Sequence, residues 1–309
     1  MERQVVIITG PTASGKSEIA FQLARKLDTE IISADSRQIF DILEIGTARP
    51  GPEKTGKVKY HLSGILDLNE PYNAAKFAER SKKILDELLV KGKIPIIEGG
   101  AGLYIRALVD GIIDVPGDIT EIREELKVVL KEKGKEGLYS LLVQEDPESA
   151  ETMLPQNWQR VLRALEVKRS TGKPIGWFHK NQQESTQFEF IQFGISRNRS
   201  DLYDRINHRV DEMIRNGLVD EVKKILNSGY SREINALNTV GYKEIIQFLD
   251  KEFDLEKAVE LIKRNSRRYA KRQLTWFNAD KRINWIALAP DSDYEKTAQI
   301  IYNKIHGTE

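Results

Sequence analysis

One short stretch near the start of the chain constrains its fold more than any other feature. Residues 10–17 match the pattern G-x-x-x-x-G-K-[ST]; they are Gly10, Pro11, Thr12, Ala13, Ser14, Gly15, Lys16 and Ser17. The stretch follows the apolar run 5–9 and opens residues 16–27, in which apolar side chains recur at helical spacing. A glycine-rich turn between a strand and a helix is typical of a phosphate-binding loop. The backbone N–H groups of such a loop surround the phosphate oxygens. The sequence therefore predicts a site for a di- or triphosphate.

Two side chains of this loop carry the expected chemistry. Lys16 would place a positive charge on the phosphates, and the hydroxyl of Ser17 would bind Mg²⁺. The loop does not define the rest of the ligand. A small-molecule kinase would use it for a nucleotide, whereas another transferase would use it for the diphosphate of an allylic donor.

The next candidate is an acid just after a second predicted strand. Residues 30–33 are strand-like, and Asp35 follows them. Ligands of parallel sheets bind beyond the carboxyl ends of the strands, so Asp35 is expected to face the phosphate loop. It would serve there as a Mg²⁺ ligand or as a base; a role as a helix cap or turn residue is about as common for an aspartate in this position.

The alternation of strand and helix patterns predicts an α/β fold. Helical spacing over 74–89 is followed by a strand at 95–97, which favours a P-loop NTPase-like parallel sheet flanked by helices. From 119 to about 171 the pattern is helical only. We therefore predict a core formed by 1–113 and 186–309, with an all-helical insertion at 114–185. The alternative is two sequential domains with a break near Pro116.

Composition narrows the classes of protein. Cysteine is absent, which excludes disulfides and thiolate metal sites. No apolar run reaches the length of a membrane span and no signal peptide pattern precedes the first strand, so we expect a cytoplasmic protein. The net charge is only +1. The stretch 263–272 nevertheless carries basic residues and no acid, which predicts a basic helix face suited to phosphates: Lys263, Arg264, Arg267, Arg268, Lys271 and Arg272.

Taken together, these motifs resemble the bacterial-type tRNA dimethylallyltransferases, also called tRNA isopentenyltransferases. The resemblance runs over nearly the whole chain. It is carried by the blocks 10–17, 31–38, 46–48, 99–104, 159–166, 205–209, 217–222, 240–244 and 269–277. Many blocks in the same order are far more specific than the phosphate loop alone.

The resemblance assigns roles to individual residues. Asp35 matches the general base, Lys16 and the loop match the pyrophosphate site with Mg²⁺ near Ser17, and Arg209 matches an arginine near the reacting phosphates. Other positions match residues that contact tRNA: Asp35, Ser36, Arg37, Gln38, Ala101, Arg123, Gln159, Arg160, Val161, Leu162 and Arg163.

The resemblance also implies the reaction and the partners. A dimethylallyl group would pass from dimethylallyl pyrophosphate to the exocyclic amine of the adenosine 3′ of the anticodon. The tRNAs would be those reading codons that begin with U, bound by their anticodon stem-loop to a monomer. The chain departs from the family at Ala101, where a threonine is usual, and at Glu98, where an apolar residue is usual. A P-loop kinase is the alternative, and an RNA-binding GTPase-like switch is disfavoured because no Asn-Lys-x-Asp segment is evident.

Overall fold

A computed structural model describes residues 3–111, 119–181 and 187–308. They divide between two units: unit 1 comprises Met1–Val109 and Thr186–Glu309, and unit 2 comprises Asp110–Ser185. In sequence, unit 2 interrupts unit 1.

Unit 1 is built on a parallel sheet. In the described part of the chain its strands are β1 (Gln4–Thr9), β2 (Ile31–Ser33), β3 (Tyr60–His61), β4 (Ile96–Gly99), β5 (Glu189–Arg197) and β6 (Ile283–Leu288). They lie in the order β3-β2-β4-β1-β5-β6, and every pair is parallel. β1 is therefore central, with β4 and β5 beside it. The carboxyl ends of β1, β2 and β4 meet at one edge of the sheet, which confirms the predicted fold class.

Helices account for most of the remaining described residues. They are α1 (Lys16–Lys26), α2 (Pro52–Thr55), α3 (Ala74–Val90), α4 (Gly102–Val109), α5 (Thr120–Glu145), α6 (Pro147–Ala150), α7 (Trp158–Thr171), α8 (Ile175–Lys180), α9 (Arg199–Arg215), α10 (Leu218–Asn227), α11 (Tyr242–Leu249), α12 (Leu255–Asn278) and α13 (Tyr294–His306). Helices α5 to α8 belong to unit 2, and the others belong to unit 1.

Alternation along β1 divides the core of unit 1 into two layers. Val5 and Ile7 join one buried cluster, with residues of α3, α4 and α10 to α12. Val6 and Ile8 join the other, with residues of α1 and α13. Successive side chains of a strand point to opposite faces, so a fully apolar strand needs helices on both. This arrangement fixes β1 rigidly and thereby the loop that follows it.

Unit 2 has its own apolar core. In its described residues helices occur and strands do not. Helices α5 and α7 supply most of the buried side chains, including Leu126, Leu138 and Leu165. Gly134, with φ of +68°, interrupts α5 with a kink.

The main sequence-predicted elements of unit 1 are present, with small shifts of their ends. The run 188–193 has strand character in the sequence, and β5 continues beyond it to Arg197 because its later residues stay paired to β6. Elements not predicted from the sequence include α2, α4, α11, α13 and the two-residue β3. In the described residues, no helix combines the length and apolar character of a membrane span.

Candidate active site

The phosphate loop lies between β1 and α1, as its motif predicts. Gly10 has φ of +143°, and a Cβ there would lie 2.5 Å from the backbone oxygen of Ile195. Gly15 has φ of +100°, and its Cβ would lie 2.7 Å from the ring of Tyr294. Any larger residue at either position would therefore deform the loop.

The outer side of the loop is held by two arginines. Arg197 Nε donates to the backbone oxygen of Ser14 at 2.9 Å, and Arg205 Nε donates to that of Ala13 at 3.0 Å. Both guanidinium groups also donate to the hydroxyl of Tyr294, at 3.2 and 2.8 Å. Because these carbonyl oxygens accept bonds from the arginines, the loop keeps its shape before any ligand binds.

Gln273 joins the loop to the turn after β4. Its Oε1 accepts from Thr12 N at 2.9 Å, and its Nε2 donates to Gly100 O at 2.9 Å. The side chain is buried and comes from α12. One amide thus fixes the spacing between two segments of the site, and it occupies one N–H of the predicted phosphate cradle.

Lys16 and Ser17 open α1 at the end of the loop, and Glu98 lies next to Ser17 in β4. Lys16 Nζ donates to Pro11 O at 3.3 Å, and Ser17 Oγ donates to Glu98 Oε1 at 2.8 Å. Burial lowers the pKa of Lys16, and the Glu98 carboxylate opposes this shift. Burial raises the pKa of Glu98, and Lys16 opposes that shift. The Ser14 hydroxyl is buried and has no hydrogen-bond partner in the part of the chain that the structure describes. A free donor in this position is suited to a ligand rich in oxygen atoms.

Asp35 lies just past β2, at the same edge of the sheet. Its Oδ1 accepts from Arg37 N at 2.8 Å and from Gln38 N at 3.2 Å, so the carboxylate is held by its own turn. Its negative charge acts on Lys16 and on Arg209, raising the pKa of each against the effect of burial. The structure therefore brings Asp35, Lys16 and Arg209 into one cluster.

Arg209 comes from α9 and completes this cluster. Its Nη2 donates to Thr47 O at 3.3 Å. Burial lowers its pKa, and the Asp35 and Glu98 carboxylates oppose that shift. A half-buried cation held in this way is well placed to meet a polyanion.

Two tyrosines lie close to Asp35. Burial raises the pKa of Tyr104 to about 12, and the charge of Asp35 contributes to the rise. Burial and Asp35 likewise raise the pKa of Tyr269 to about 12. Both phenols are therefore protonated at neutral pH and can donate hydrogen bonds. Tyr269 is also 38% exposed, unlike Phe277, which is core.

The predicted tRNA-contact residues of unit 1 differ in what they offer. Gln38 is buried, and its amide is engaged with Ser33 Oγ at 3.2 Å and Thr47 O at 3.1 Å. Its side chain serves the loop in this structure and does not face a partner. Ser36 is half-buried, and so is Arg37, which donates to Asn235 Oδ1 at 3.2 Å. Ala101 is half-buried, and its N–H donates to Ala34 O at 3.1 Å.

In unit 2 the predicted contact residues fall into two groups. Gln159 and Arg160 are exposed at the start of α7, whereas Val161 is fully buried and Leu162 half-buried. Direct RNA contact by the Val161 side chain therefore does not fit this structure, because it packs in the core of unit 2.

Arg123 and Arg163 share one acid within unit 2. Arg123 binds Glu166 through two hydrogen bonds, at 2.6 and 3.0 Å, and Arg163 Nη1 reaches the same carboxylate at 3.3 Å. Glu166 is fully buried, so removing either arginine would leave a buried charge poorly paired. This ion cluster gives both arginines a structural role in addition to the predicted one.

Helix α12 presents an exposed basic face, as the sequence predicts. Arg264, Arg268, Lys271 and Arg272 are exposed. Lys263 instead pairs with Asp211 at 2.6 Å, and Arg267 bonds to Asn207 Oδ1 at 2.5 Å. The exposed basic face is thus formed by four residues of the six in the sequence run.

Gln273, Arg197 and Tyr294 have no role that could be predicted from the sequence motifs. Gln273 lay within the block 269–277, and Arg205 within the block 205–209, but the motifs gave no sign of what either contacts. Their partners are far away along the chain: 261 residues separate Thr12 from Gln273. Only the fold brings them together.

Fold and site define a class of protein. A parallel sheet with a phosphate loop after its central strand, and a carboxylate beside that loop, is a P-loop NTPase-like architecture. Residues 38–280 match the family model described as IPP transferase. The chain belongs to this family, is an enzyme and is a transferase, and the resemblance inferred from its motifs is confirmed.

Similar proteins support the same assignment. The chain is 43% identical over 284 residues to tRNA dimethylallyltransferase 1 of Pelobacter propionicus, covering 92% of each. It is 36% identical to the tRNA isopentenylpyrophosphate transferase of Bacillus halodurans, with a TM-score of 0.74 and coverage of 99% and 97%. A eukaryotic dimethylallyltransferase captured acting on tRNA shares the fold, with a TM-score of 0.85, 24% identity and coverage of 99% and 80%.

Proposed function

We propose that this chain transfers a dimethylallyl group from dimethylallyl pyrophosphate to the exocyclic amine of an adenosine in tRNA. The acceptor is the adenosine immediately 3′ of the anticodon in tRNAs that read codons beginning with U. The observation that carries the proposal is the cluster of Asp35, Lys16 and Arg209 at the mouth of the phosphate loop. A relative aligned over 92% of this chain bears the name of the same activity.

The chemistry needs a leaving-group site and a proton acceptor close together. The amine nitrogen attacks the allylic carbon, and the carbon–oxygen bond to the diphosphate breaks. Lys16, Arg209 and the loop stabilise the departing negative charge, which is expected to dominate the rate. Attack makes the nitrogen cationic and strongly acidic, and Asp35 accepts its proton. The products are alkylated tRNA and pyrophosphate.

The donor set of the site fits Mg²⁺. The hydroxyl of Ser17, which lies next to Glu98, would be an oxygen ligand beside the loop. In the described residues, no group of three or more His, Cys, Asp or Glu side chains could hold a metal by itself. Mg²⁺ commonly takes only one or two protein oxygens and completes its shell with phosphate oxygens and water. Bound at Ser17, it would neutralise charge on the leaving diphosphate.

The acceptor side of the site suits an unstacked base. An adenosine in a folded loop must leave its stack to reach a pocket, at a cost of a few kcal/mol. Tyr269 offers an exposed aromatic ring near Asp35, and aromatic stacking stabilises such bases. The exposed arginines of α12 would contact the anticodon stem phosphates. We further expect a monomeric, cytoplasmic enzyme.

One assay tests the proposal directly. The protein is incubated with dimethylallyl pyrophosphate, Mg²⁺ and unmodified tRNA, and both released pyrophosphate and tRNA mass are measured. A gain of one five-carbon unit at the adenosine next to the anticodon is expected. ADP formation from ATP without a mass gain in the tRNA would instead indicate a kinase and overturn the proposal.

A further inference from the structure

Glu98 is a buried acid to which the proposed reaction gives no role. It lies in β4, next to β1, and its side chain is only 5% exposed. Its neighbours in the sheet are Ile8 and Ser33, so the sheet itself supplies no cation to pair with it. A carboxylate in such a position costs free energy unless a cation or hydrogen bonds offset the burial.

The hydrogen bond from Ser17 sets the orientation of both groups. Ser17 Oγ donates its proton to Glu98 Oε1 at 2.8 Å. A serine hydroxyl has one proton and two lone pairs, so with the proton engaged the oxygen can only accept. An acceptor oxygen beside a carboxylate is the ligand pair that a hard divalent cation prefers.

The charges around Glu98 also favour a divalent cation once a diphosphate is bound. The carboxylates of Asp35 and Glu98 are offset by the cations of Lys16 and Arg209, and a diphosphate would bring further negative charge that no side chain of this cluster offsets. Without a cation between them, Glu98 repels the ligand that the loop is shaped to hold. With a divalent cation between them, both the carboxylate and the diphosphate are attracted to it.

We infer that Glu98, together with the hydroxyl of Ser17, holds the divalent cation that accompanies the diphosphate. Phosphate-loop enzymes commonly bind Mg²⁺ between the loop hydroxyl and an acid supplied by another strand. The inference deepens the proposed function, on which it rests for the nature of the diphosphate ligand.

The test measures metal binding and needs neither tRNA nor turnover. Mn²⁺ is titrated by EPR into the protein with saturating inorganic pyrophosphate, and pyrophosphate binding without metal is measured separately by calorimetry. In Glu98→Gln the Mn²⁺ affinity should fall about 10- to 100-fold. Metal-free pyrophosphate should bind as well as before or more tightly, because a repelling charge is gone. Equal Mn²⁺ affinity in variant and wild type would overturn the inference.

A matched control separates the metal from the general cost of changing a buried acid. Glu244 is also buried, and its carboxylate accepts from Gly241 N at 2.8 Å to cap α11. Glu244→Gln should leave the Mn²⁺ affinity unchanged. An equal fall in both variants would show a loss of stability and would count against a ligand role for Glu98.

A second measurement uses the unaltered chain. Protein labelled with ¹³C in the side-chain carboxyl of glutamate should show a ¹³C hyperfine coupling to bound Mn²⁺ in pulsed EPR. Absence of that coupling overturns the inference even if Glu98→Gln does not fold. If wild-type protein shows the coupling but does not alkylate tRNA, the proposed function fails and the cation site stands.

Discussion

At the scale of single residues, the proposed role of Asp35 as the base can be tested most directly. Asp35→Asn keeps an oxygen that can accept from Arg37 N and Gln38 N, so the turn should persist. The amide cannot take a proton from the attacking nitrogen. Single-turnover transfer should therefore fall by about 10² to 10⁴-fold, while tRNA affinity stays near that of the wild type. Transfer at an unchanged rate would remove Asp35 as the base.

Ala101 is the second residue with a clear prediction. Its backbone lies next to the residue that precedes Asp35, because its N–H donates to Ala34 O at 3.1 Å. We expect a threonine hydroxyl at this position to donate to the leaving oxygen, so Ala101→Thr should raise turnover by up to roughly 100-fold. Ala101→Val has nearly the same shape without the hydroxyl and should bring no rise. Equal steady-state rates in the two variants would show that the hydroxyl contributes nothing here.

At the scale of elements, Gln273 links α12 to the phosphate loop and to the turn after β4. Gln273→Met removes both hydrogen bonds and leaves Thr12 N and Gly100 O without this partner. We expect a loss of about 2 kcal/mol in the free energy of unfolding and a raised KM for the donor. Gln247→Met, which removes only a surface bond to Glu252, is the control for the substitution itself. An unchanged donor KM for Gln273→Met would contradict its positioning role.

The basic face of α12 is the second element with a measurable consequence. Arg268→Gln should weaken tRNA binding and lower the slope of log affinity against log salt by about 0.7 to 0.9. Lys257→Gln changes a lysine of the same helix that pairs with Glu260, and it should leave the slope unchanged. Fluorescence anisotropy with labelled tRNA at several salt concentrations measures both. A salt slope that is the same in both variants would place the RNA elsewhere.

At the scale of the whole molecule, what could be predicted from sequence follows from how contacts are encoded. The phosphate loop is contiguous, so its residues, its strand and its helix are all legible in one short stretch. The position of Asp35 near Lys16 could be predicted because parallel strands end at a common edge. Tyr294 and Gln273 were not assigned, since their roles depend on contacts made across the fold by α13 and α12. The two-residue β3 is too short to leave a pattern.

The central claim is that the phosphate loop grips the diphosphate of a carbon donor across from Asp35. Calorimetry with an unreactive dimethylallyl diphosphate analogue, with ATP as competitor, tests it most directly. We predict that the analogue binds wild type more tightly than ATP does, and that Lys16→Gln weakens its binding by about 10-fold or more. Tighter binding of ATP, with analogue affinity unaffected by Lys16→Gln, would contradict the account.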